Sequence, residues 1–345
     1  MSRTALVAPD AFKGSFSAVE VAAAIARGLE AAGQEAVEMP LADGGEGTMD
    51  VLLDAFGGER RTATVADPLG RPVQAEFGLL RDGRTAIVEG AQASGLHRVA
   101  TEERDAWAAT WRGTGELIAA ATKAGAETVI LTVGGSATTD GGSGALEALD
   151  AAGVDPDIEV LCDVRTPFED AARVFSPQKG ADPDTVERLT RRLHQLAQDA
   201  PRDPRGNPMT GAAGGLAGGL WAHRGARLVL GIGYVLDAVG FDERARESRF
   251  VVTGEGRLDA QSLDGKVCGE VAARCRRRGV PCHAIVGQNA LERSEEQTRR
   301  RDRAPADAGG PCRSRPPSCR PTSRVCSTPR GCGGSGRRSP TRRAS

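Results

Sequence analysis

Apolar and polar positions alternate along residues 1–292 in a pattern that predicts an α/β protein with a largely parallel sheet. Short apolar runs predict buried strands at Thr4–Ala8, Glu35–Met39, Thr128–Val133, Ile158–Leu161, Phe250–Thr253 and Cys282–Val286. Two helix starts carry clear signals, the capping-box pattern Ser17-Ala-Val-Glu20 and the N-cap pair Asp182-Pro183. Further helices are predicted from a Thr48 cap to Phe56, from Thr114 to Ala124, near Gly214 to His223, and from Lys266 to Arg278.

The pattern changes between residues 61 and 89. Three strands are predicted there, at Arg61–Val65, Val73–Leu80 and Thr85–Glu89, joined by tight turns at Pro68–Gly70 and Asp82–Gly83. Strands joined by such short turns are typical of antiparallel hairpins. The change therefore predicts a second domain that the chain enters near residue 65.

Charge is distributed unevenly along the chain, which the net charge of −1 conceals. Residues 293–345 contain 14 Arg and four acidic residues and carry +10, so residues 1–292 carry −11. The C-terminal segment also contains no Leu, Ile, Met, Phe, Tyr or Trp, and cannot bury enough apolar surface to offset its chain entropy. We expect residues 293–345 to form a disordered basic tail, and only the preceding residues to fold.

Composition disfavours several classes of protein. No run of 18 apolar residues exists that could span a membrane, and the early charges Asp10 and Lys13 argue against a cleavable signal peptide. The cytoplasm is therefore the expected location. The eight cysteines fit neither a disulfide framework nor a zinc pattern, and the acidic body argues against a nucleic-acid surface there.

Four glycine-rich segments follow predicted strands. Glycine lets backbone N–H groups converge on an anion, and loops at the carboxyl ends of parallel strands form the ligand crevice of an α/β sheet. These segments favour binding of a phosphate-bearing ligand, although they do not form a Walker sequence. They are Ala42–Thr48, Gly134–Gly142, Ala213–Gly219 and Thr253–Asp259.

Lysine and carboxylate positions support phosphate chemistry. The chain has four lysines against 41 arginines, and Lys13, Lys179 and Lys266 lie beside glycines, where a compact ammonium can reach phosphate oxygens. Phosphoryl transfer also needs oxygen ligands for magnesium and a base for the attacking hydroxyl. Carboxylates at predicted strand ends or in glycine segments could supply both: Asp10, Asp43, Glu46, Asp140, Asp163, Glu255 and Asp259.

Seven motifs together resemble the bacterial type I glycerate kinases, in family order from about Thr4 to Glu292. They are Ala8–Ser15, Ala42–Thr48, Asp67–Pro72, Gly134–Thr138, Cys162–Val164, Pro177–Gly180 and Thr253–Gln261. The resemblance implies ATP-dependent phosphorylation of D-glycerate, with magnesium, to give 2-phosphoglycerate rather than 3-phosphoglycerate. It also implies a flavodoxin-like, doubly wound parallel sheet from residues 1–65 and 240–292, with a second mixed α/β domain, residues 66–239, inserted in it.

We assign provisional roles to these positions. The expected catalytic residues are Lys13, Asp43, Asp163 and Lys179. The expected ATP-binding residues are Gly134, Gly135, Ser136, Thr138, Gly254, Glu255, Gly256 and Lys266. The expected magnesium ligands are Asp140, Glu255 and Asp259.

Two departures from the family pattern leave alternatives open. The segment between Gly144 and Cys162 is shorter than in relatives, which suggests a missing strand or hairpin. The tail after Glu292 replaces the strand and amphipathic helix with which relatives end, and its composition suggests a frameshifted gene. An inactive kinase remnant, or a nucleic-acid-associated protein acting through the basic tail, therefore stands beside the kinase hypothesis.

Overall fold

Two β-sheets organise the described residues, which are 4–259, 262 and 266–291 of the computed structural model. The strands are β1 (Ala5–Val7), β2 (Ala36–Glu38), β3 (Gly58–Ala66), β4 (Pro72–Leu80), β5 (Thr85–Glu89), β6 (Thr128–Thr132), β7 (Asp157–Cys162), β8 (Arg227–Leu230), β9 (Phe250–Leu258) and β10 (Cys282–Asn289). The α-helices are α1 (Ala18–Ala31), α2 (Thr48–Phe56), α3 (Gly90–Ser94), α4 (Arg112–Lys123), α5 (Ser143–Ala152), α6 (Ala171–Phe175), α7 (Pro183–Asp199), α8 (Leu216–Arg224), α9 (Gly231–Ala238), α10 (Phe241–Glu247) and α11 (Val267–Arg278).

The first sheet has four parallel strands from both ends of the described chain, in the order β10-β9-β1-β2. Leu6 in the central strand β1 lies between Val37 and Val251. Side chains of α9, α10 and α11 pack with this sheet into one core, which includes Phe241 and Val271. The strand order matches the first four strands of a flavodoxin-like sheet.

An apolar groove of about 840 Å³ lies between this sheet and α1. Its lining includes Phe12, Phe16, Val19, Val252 and Ile285. Phe16 is 60% exposed and Ile285 is 47% exposed, which is unusual for large apolar side chains that lie together. Strand β10 at the edge of the sheet is also exposed along most of its length. The described residues therefore leave part of this sheet without an apolar cover.

The second sheet has six strands in the order β3-β4-β5-β6-β7-β8. The pairs β3–β4 and β4–β5 are antiparallel, and the strands from β5 to β8 are parallel. Its larger core contains Trp111, Leu117 and Leu131, and a smaller cluster containing Met49 and Ile130 packs α2 against it. This sheet lies within residues 58–230, inside the sequence that forms the four-stranded sheet.

The α/β fold class is confirmed, and the helix starts show why sequence signals located them. Ser17 and Glu20 form the predicted capping box, and the Asp182 carboxylate accepts from the Thr185 amide over 2.7 Å. The predicted cap at Thr48 is wrong, because Gly47 occupies the cap position and Thr48 is the first helical residue. Helix α8 starts at Leu216 rather than Gly214, since Gly214 has a left-handed backbone conformation.

The predicted loop after Phe250–Thr253 is also wrong, because β9 continues to Leu258. Gly254 and Glu255 pair in register with Ile285 and Val286 of β10. A Cβ on Gly254 would lie 2.4 Å from the Ile285 carbonyl oxygen, so this glycine allows the two strands to approach each other. The glycines that suggested a loop instead belong to a strand.

Several sequence predictions concern features that the described residues do not test. Residues 293–345 lie outside the described residues, and the domain boundaries near residues 65 and 240 stay predictions. Helix α5 leads directly into β7, and the shortened segment between Gly144 and Cys162 stays a prediction as a departure from relatives. Within the described ranges, no helix has the length and apolar character needed to cross a membrane.

Candidate active site

The strand order of the four-stranded sheet defines where a crevice forms. Counted along the chain, the strands β2-β1-β9-β10 have the order 2-1-3-4, which reverses between β1 and β9. Loops at the carboxyl ends of strands separate at such a switch point and leave room for a ligand. A cavity of about 400 Å³ lies there, lined by Asp10 and Lys13 after β1 and by Glu255, Asp259 and Lys266 from β9 onward. We call it the switch-point cavity.

An ion pair forms part of the wall of this cavity. The Lys13 ammonium donates to Asp43 Oδ2 over 3.0 Å, and the Gly45 amide donates to Asp43 Oδ1 over 3.1 Å. Asp43 is 2% exposed, whereas the Lys13 side chain is 63% exposed. The carboxylate is therefore fixed within the protein, while the ammonium stays accessible to an anion that enters the cavity.

Two further carboxyl groups, the buried Asp10 and the half-buried Asp163, lie beside this ion pair. Burial, and then the negative charge of Asp43, raise the pKa of Asp10 to about 7. Burial also raises the pKa of Asp163, which follows β7 and interacts electrostatically with Asp43 and Lys13. Its carboxylate accepts no hydrogen bond from another described residue. A raised pKa makes a carboxylate a stronger base, which is the property a general base needs.

Glu255 presents an unused oxygen at the same cavity. Its Oε2 accepts from the Ser262 hydroxyl over 3.0 Å, and burial raises the pKa of the carboxyl group. Its Oε1 is buried without a hydrogen bond from a nitrogen or oxygen of the described residues, and the Cys268 thiol gives the carboxyl group only a weak hydrogen bond. A buried acceptor without a partner is costly in a folded protein. Glu255 is therefore ready to receive a ligand hydroxyl or a cation.

The carboxyl ends of the parallel strands in the six-stranded sheet meet the loop that carries Asp43. A Cβ on Gly44 would lie 2.5 Å from Gly231 Cα, and a Cβ on Gly134 would lie 3.3 Å from Gly45 Cα. Glu89 at the end of β5 accepts from the Met49 amide over 3.0 Å. Glycine at these contacts lets the backbones touch, so the loop is held between the two sheets.

The Gly134–Gly142 loop is shaped by a buried lysine. The Lys179 ammonium donates to the Thr138 carbonyl, to the Ser136 hydroxyl over 3.1 Å and to the Thr139 hydroxyl over 3.5 Å. Lys179 is 2% exposed, and burial lowers the pKa of its ammonium to about 7. Contact of Lys179 with a phosphate stays a prediction, and in this geometry the ammonium is engaged by the loop instead.

Asp140 has a similar structural environment. Its carboxylate accepts from the amides of Trp111, Gly142 and Gly144 and from the Thr110 hydroxyl. It is fully buried and so holds the starts of α4 and α5 next to the loop. A magnesium ion would have to displace several of these donors, so the donor set does not fit the predicted metal role.

The structure places the predicted residues in two groups. Around the switch-point cavity lie Lys13, Asp43, Asp163, Gly254, Glu255, Gly256, Asp259 and Lys266. In and around the glycine loop lie Gly134, Gly135, Ser136, Thr138, Asp140 and Lys179. The contact between Gly134 and Gly45 joins the two groups. No hydrogen bond within the described residues engages the amides of Gly134, Gly135 and Ser136, so these donors are available to an anion.

Sequence reasoning missed two positions that build the site. Gly231 was overlooked because the short strand β8 before it was not predicted, although the segment Leu228-Val-Leu-Gly231 carries a strand-then-glycine signal. Glu89 was read only as the end of a strand. Its contact with Met49 spans 40 residues of sequence and leaves no local pattern.

In the ranges that the structure describes, no group of three or more His, Cys, Asp or Glu residues is placed to hold a metal ion. Magnesium, however, commonly binds through one or two carboxylates together with substrate phosphates. The free Oε1 of Glu255 fits this limited requirement.

Comparisons with known proteins identify the family of the chain. The family model described as the glycerate kinase family matches residues 5–157 and 150–306. The glycerate kinase of Bacillus subtilis is 41% identical over 324 residues, covering 82% of this chain and 84% of its own length. The glycerate 2-kinase of Escherichia coli is 39% identical over 321 residues, with coverage of 82% and 84%.

A solved structure shows the same likeness. The crystal structure assigned as glycerate kinase 2 from Salmonella typhimurium LT2 aligns with a TM-score of 0.73 and 36% identity, over 87% of this chain and 94% of that one. The family model and the relatives define the protein as a kinase, a phosphotransferase. The chain belongs to the glycerate kinase family.

Proposed function

We propose that this kinase transfers the γ-phosphoryl group of ATP to the 2-hydroxyl of D-glycerate and forms 2-phosphoglycerate. The observation that carries the proposal is the switch-point cavity, where Lys13 and Lys266 meet buried carboxyl groups. Lysine ammonium groups neutralise phosphate oxygens, and carboxylates accept the hydroxyl proton. This combination suits phosphoryl transfer to an alcohol.

Each side chain has a distinct duty in this proposal. Lys266 binds the donor phosphates, the free amides of the Gly134–Gly142 loop cradle them from the side of the second sheet, and Lys13 neutralises charge as the phosphoryl group moves. We assign the base to Asp163, because both oxygens of Asp43 already accept hydrogen bonds. The hydroxyl oxygen forms a bond to the γ-phosphorus, the bond to the β-phosphate oxygen breaks, ADP leaves, and the proton passes to the carboxylate.

Glu255 is the side chain that we propose for magnesium, with Asp259 close by on the same wall of the cavity. Magnesium, when bound, neutralises charge on the donor phosphates. Ser262 keeps Glu255 in place by donating to Oε2, which leaves Oε1 directed to a ligand. A cytoplasmic location fits the same proposal, since the substrates are metabolites.

Phosphorus NMR of the full chain with ATP, magnesium and D-glycerate tests this function. A phosphomonoester resonance coupled to the C2 proton is expected, and Lys13→Ala should lower the rate by at least about a hundredfold. Lys123→Ala, which changes an exposed lysine at the end of α4, serves as the matched control. If ATP persists unchanged with wild-type protein, the chain is an inactive remnant; ADP without a phosphomonoester would contradict glycerate as the acceptor.

A further inference from the structure

A second polar cavity shares a wall with the switch-point cavity. It measures about 430 Å³ and lies at the N-terminal ends of α1 and α2, and its lining includes Ser15, Glu46 and Gln92. Asp10, Ala11, Lys13 and Ser15 line both cavities. A ligand in the second cavity would therefore meet a ligand in the first at Asp10 and Lys13.

Polar groups in the second cavity differ in whether they are already used. The Glu89 carboxylate accepts from the Met49 amide, and Arg60 at the rim is paired with Asp50 and Glu76. By contrast, Glu46 and Gln92 make no side-chain hydrogen bond within the described residues. The groups within reach of a ligand include the Glu46 carboxylate, the Gln92 amide and the Lys13 ammonium, which is exposed although it donates to Asp43; the Asp10 carboxyl group lines the same cavity.

The Lys13, Glu46 and Gln92 side chains match a small hydroxy acid better than a nucleotide phosphate. A carboxylate ligand needs a cation, which Lys13 offers, while hydroxyl groups need acceptors and donors, which Glu46 and Gln92 offer. The switch-point cavity instead adds a second lysine, Lys266, which suits a polyphosphate. The two cavities therefore differ in the charge that they favour.

We propose that the second cavity is the acceptor site, in which Lys13 binds the carboxylate of glycerate and Gln92, with Glu46, binds its 3-hydroxyl. The inference rests on the proposed function and deepens it. In glycerate the carboxylate and the 2-hydroxyl are on adjacent carbons. With the carboxylate held at the shared wall, the 2-hydroxyl is next to the donor phosphates and the 3-hydroxyl is turned away from them. The placement therefore accounts for phosphorylation at the 2-position.

Gln92→Leu tests the placement, because leucine has a similar size and forms no hydrogen bond. We expect the KM for D-glycerate to rise about tenfold while the KM for ATP stays unchanged. D-Lactate, which lacks the 3-hydroxyl, is the second probe, and its inhibition constant against glycerate should not change in the variant. Gln195→Leu on α7 is the matched control, since Gln195 contacts Asp199 and lines neither cavity.

The outcomes separate the two proposals. Wild-type protein that makes no phosphoglycerate contradicts the proposed function itself. The acceptor site is overturned if wild-type protein makes 2-phosphoglycerate but Gln92→Leu weakens the binding of glycerate and lactate equally, or weakens the binding of neither. A 3-phosphoglycerate product would overturn the orientation, because the 3-hydroxyl would then be at the shared wall.

Discussion

A fully buried lysine costs folding free energy unless its ammonium is hydrogen-bonded, and Lys179 meets this condition with oxygens of the Gly134–Gly142 loop. The sequence predicts Lys179 as a glycine-flanked lysine that contacts phosphate. It could not show the direction of the side chain, because a glycine-flanked lysine in a turn looks the same whether it faces solvent or the interior. Because Lys179 is buried and hydrogen-bonded to the loop, we assign it a structural role in holding the loop.

Lys179→Ala should therefore destabilise the fold. Removal of the side chain leaves a cavity, and the Thr138 carbonyl and Ser136 hydroxyl lose their hydrogen-bond partner. We therefore expect the free energy of unfolding to fall by roughly 2–4 kcal/mol. Urea unfolding followed by circular dichroism measures this change. Lys123→Ala should change it by less than about 0.5 kcal/mol, since Lys123 is exposed. Equal stability of the two variants would contradict a structural role for Lys179.

The lowered pKa of Lys179 also makes stability depend on pH. Burial lowers the pKa of its ammonium from 10.5 to about 7, so the unfolded state binds the proton more tightly than the folded state does. Stability should rise as pH increases from 7 towards 10, because the cost of the buried charge disappears over this range. Unfolding curves of wild type and Lys179→Met across these pH values measure it. As pH increases, the free energy of unfolding of wild type should rise relative to that of Lys179→Met. Parallel pH dependences of the two proteins would contradict the lowered pKa of Lys179.

At the scale of elements, the loop that carries Asp43 depends on backbone contacts with α9. Gly231→Ala should move this loop, since a Cβ there would lie 2.5 Å from both the Asp43 carbonyl oxygen and Gly44 Cα. We expect a loss of roughly 1–3 kcal/mol in stability and a lower kcat. Thermal unfolding and initial rates measure the two effects. Gly28→Ala in α1 is the control; its Cβ meets nothing within 4 Å, so it should add up to about 1 kcal/mol to stability. Full activity in Gly231→Ala would show that the contact does not position Asp43.

The sequence predicted elements well where their signals are local. Caps and alternating patterns located α1, α7 and the hairpin strands, since each signal lies within a few residues of its element. The strand order and the meeting of both sheets at the Asp43 loop are long-range results, and only the family resemblance indicated the flavodoxin-like part. The sequence predicts the site as a set of residues. It does not predict which of them line the switch-point cavity and which form the buried network around Lys179 and Asp140, because that depends on side-chain direction.

At the scale of the whole molecule, the apolar groove beside α1 should limit stability. Covering it with five or six large apolar side chains would contribute roughly 10 kcal/mol, which is comparable to the stability of a typical domain. The sequence after Glu292 contains one large aliphatic residue, Val325, and cannot supply such a cover. The exposed edge strand β10 would add a tendency to aggregate. We therefore expect the chain to be poorly soluble.

Replacement of residues 293–345 by the corresponding segment of the Bacillus subtilis relative should restore a cooperative thermal transition and lower the binding of a hydrophobic dye. Deletion of residues 293–345 alone is the control, and it should leave both measurements unchanged because the deleted sequence has too few large apolar side chains to form a cover. Calorimetry and dye fluorescence provide the readouts. A sharp transition in the unaltered chain, with residues 293–345 protected from protease, would show that the tail covers the groove and that the frameshift hypothesis is wrong.

The four-stranded sheet has a consequence for how the protein is made. Strand β1 pairs with β9, whose residues are synthesised about 240 positions later. At roughly 5–20 residues per second, β1 and β2 wait on the order of 12–50 s on the ribosome before their partner emerges. The strands of the six-stranded sheet all emerge within that interval, so it can assemble first. The nascent chain thus carries the apolar strand β1 without its β9 partner for most of its synthesis, and we expect it to bind ribosome-associated chaperones during that time.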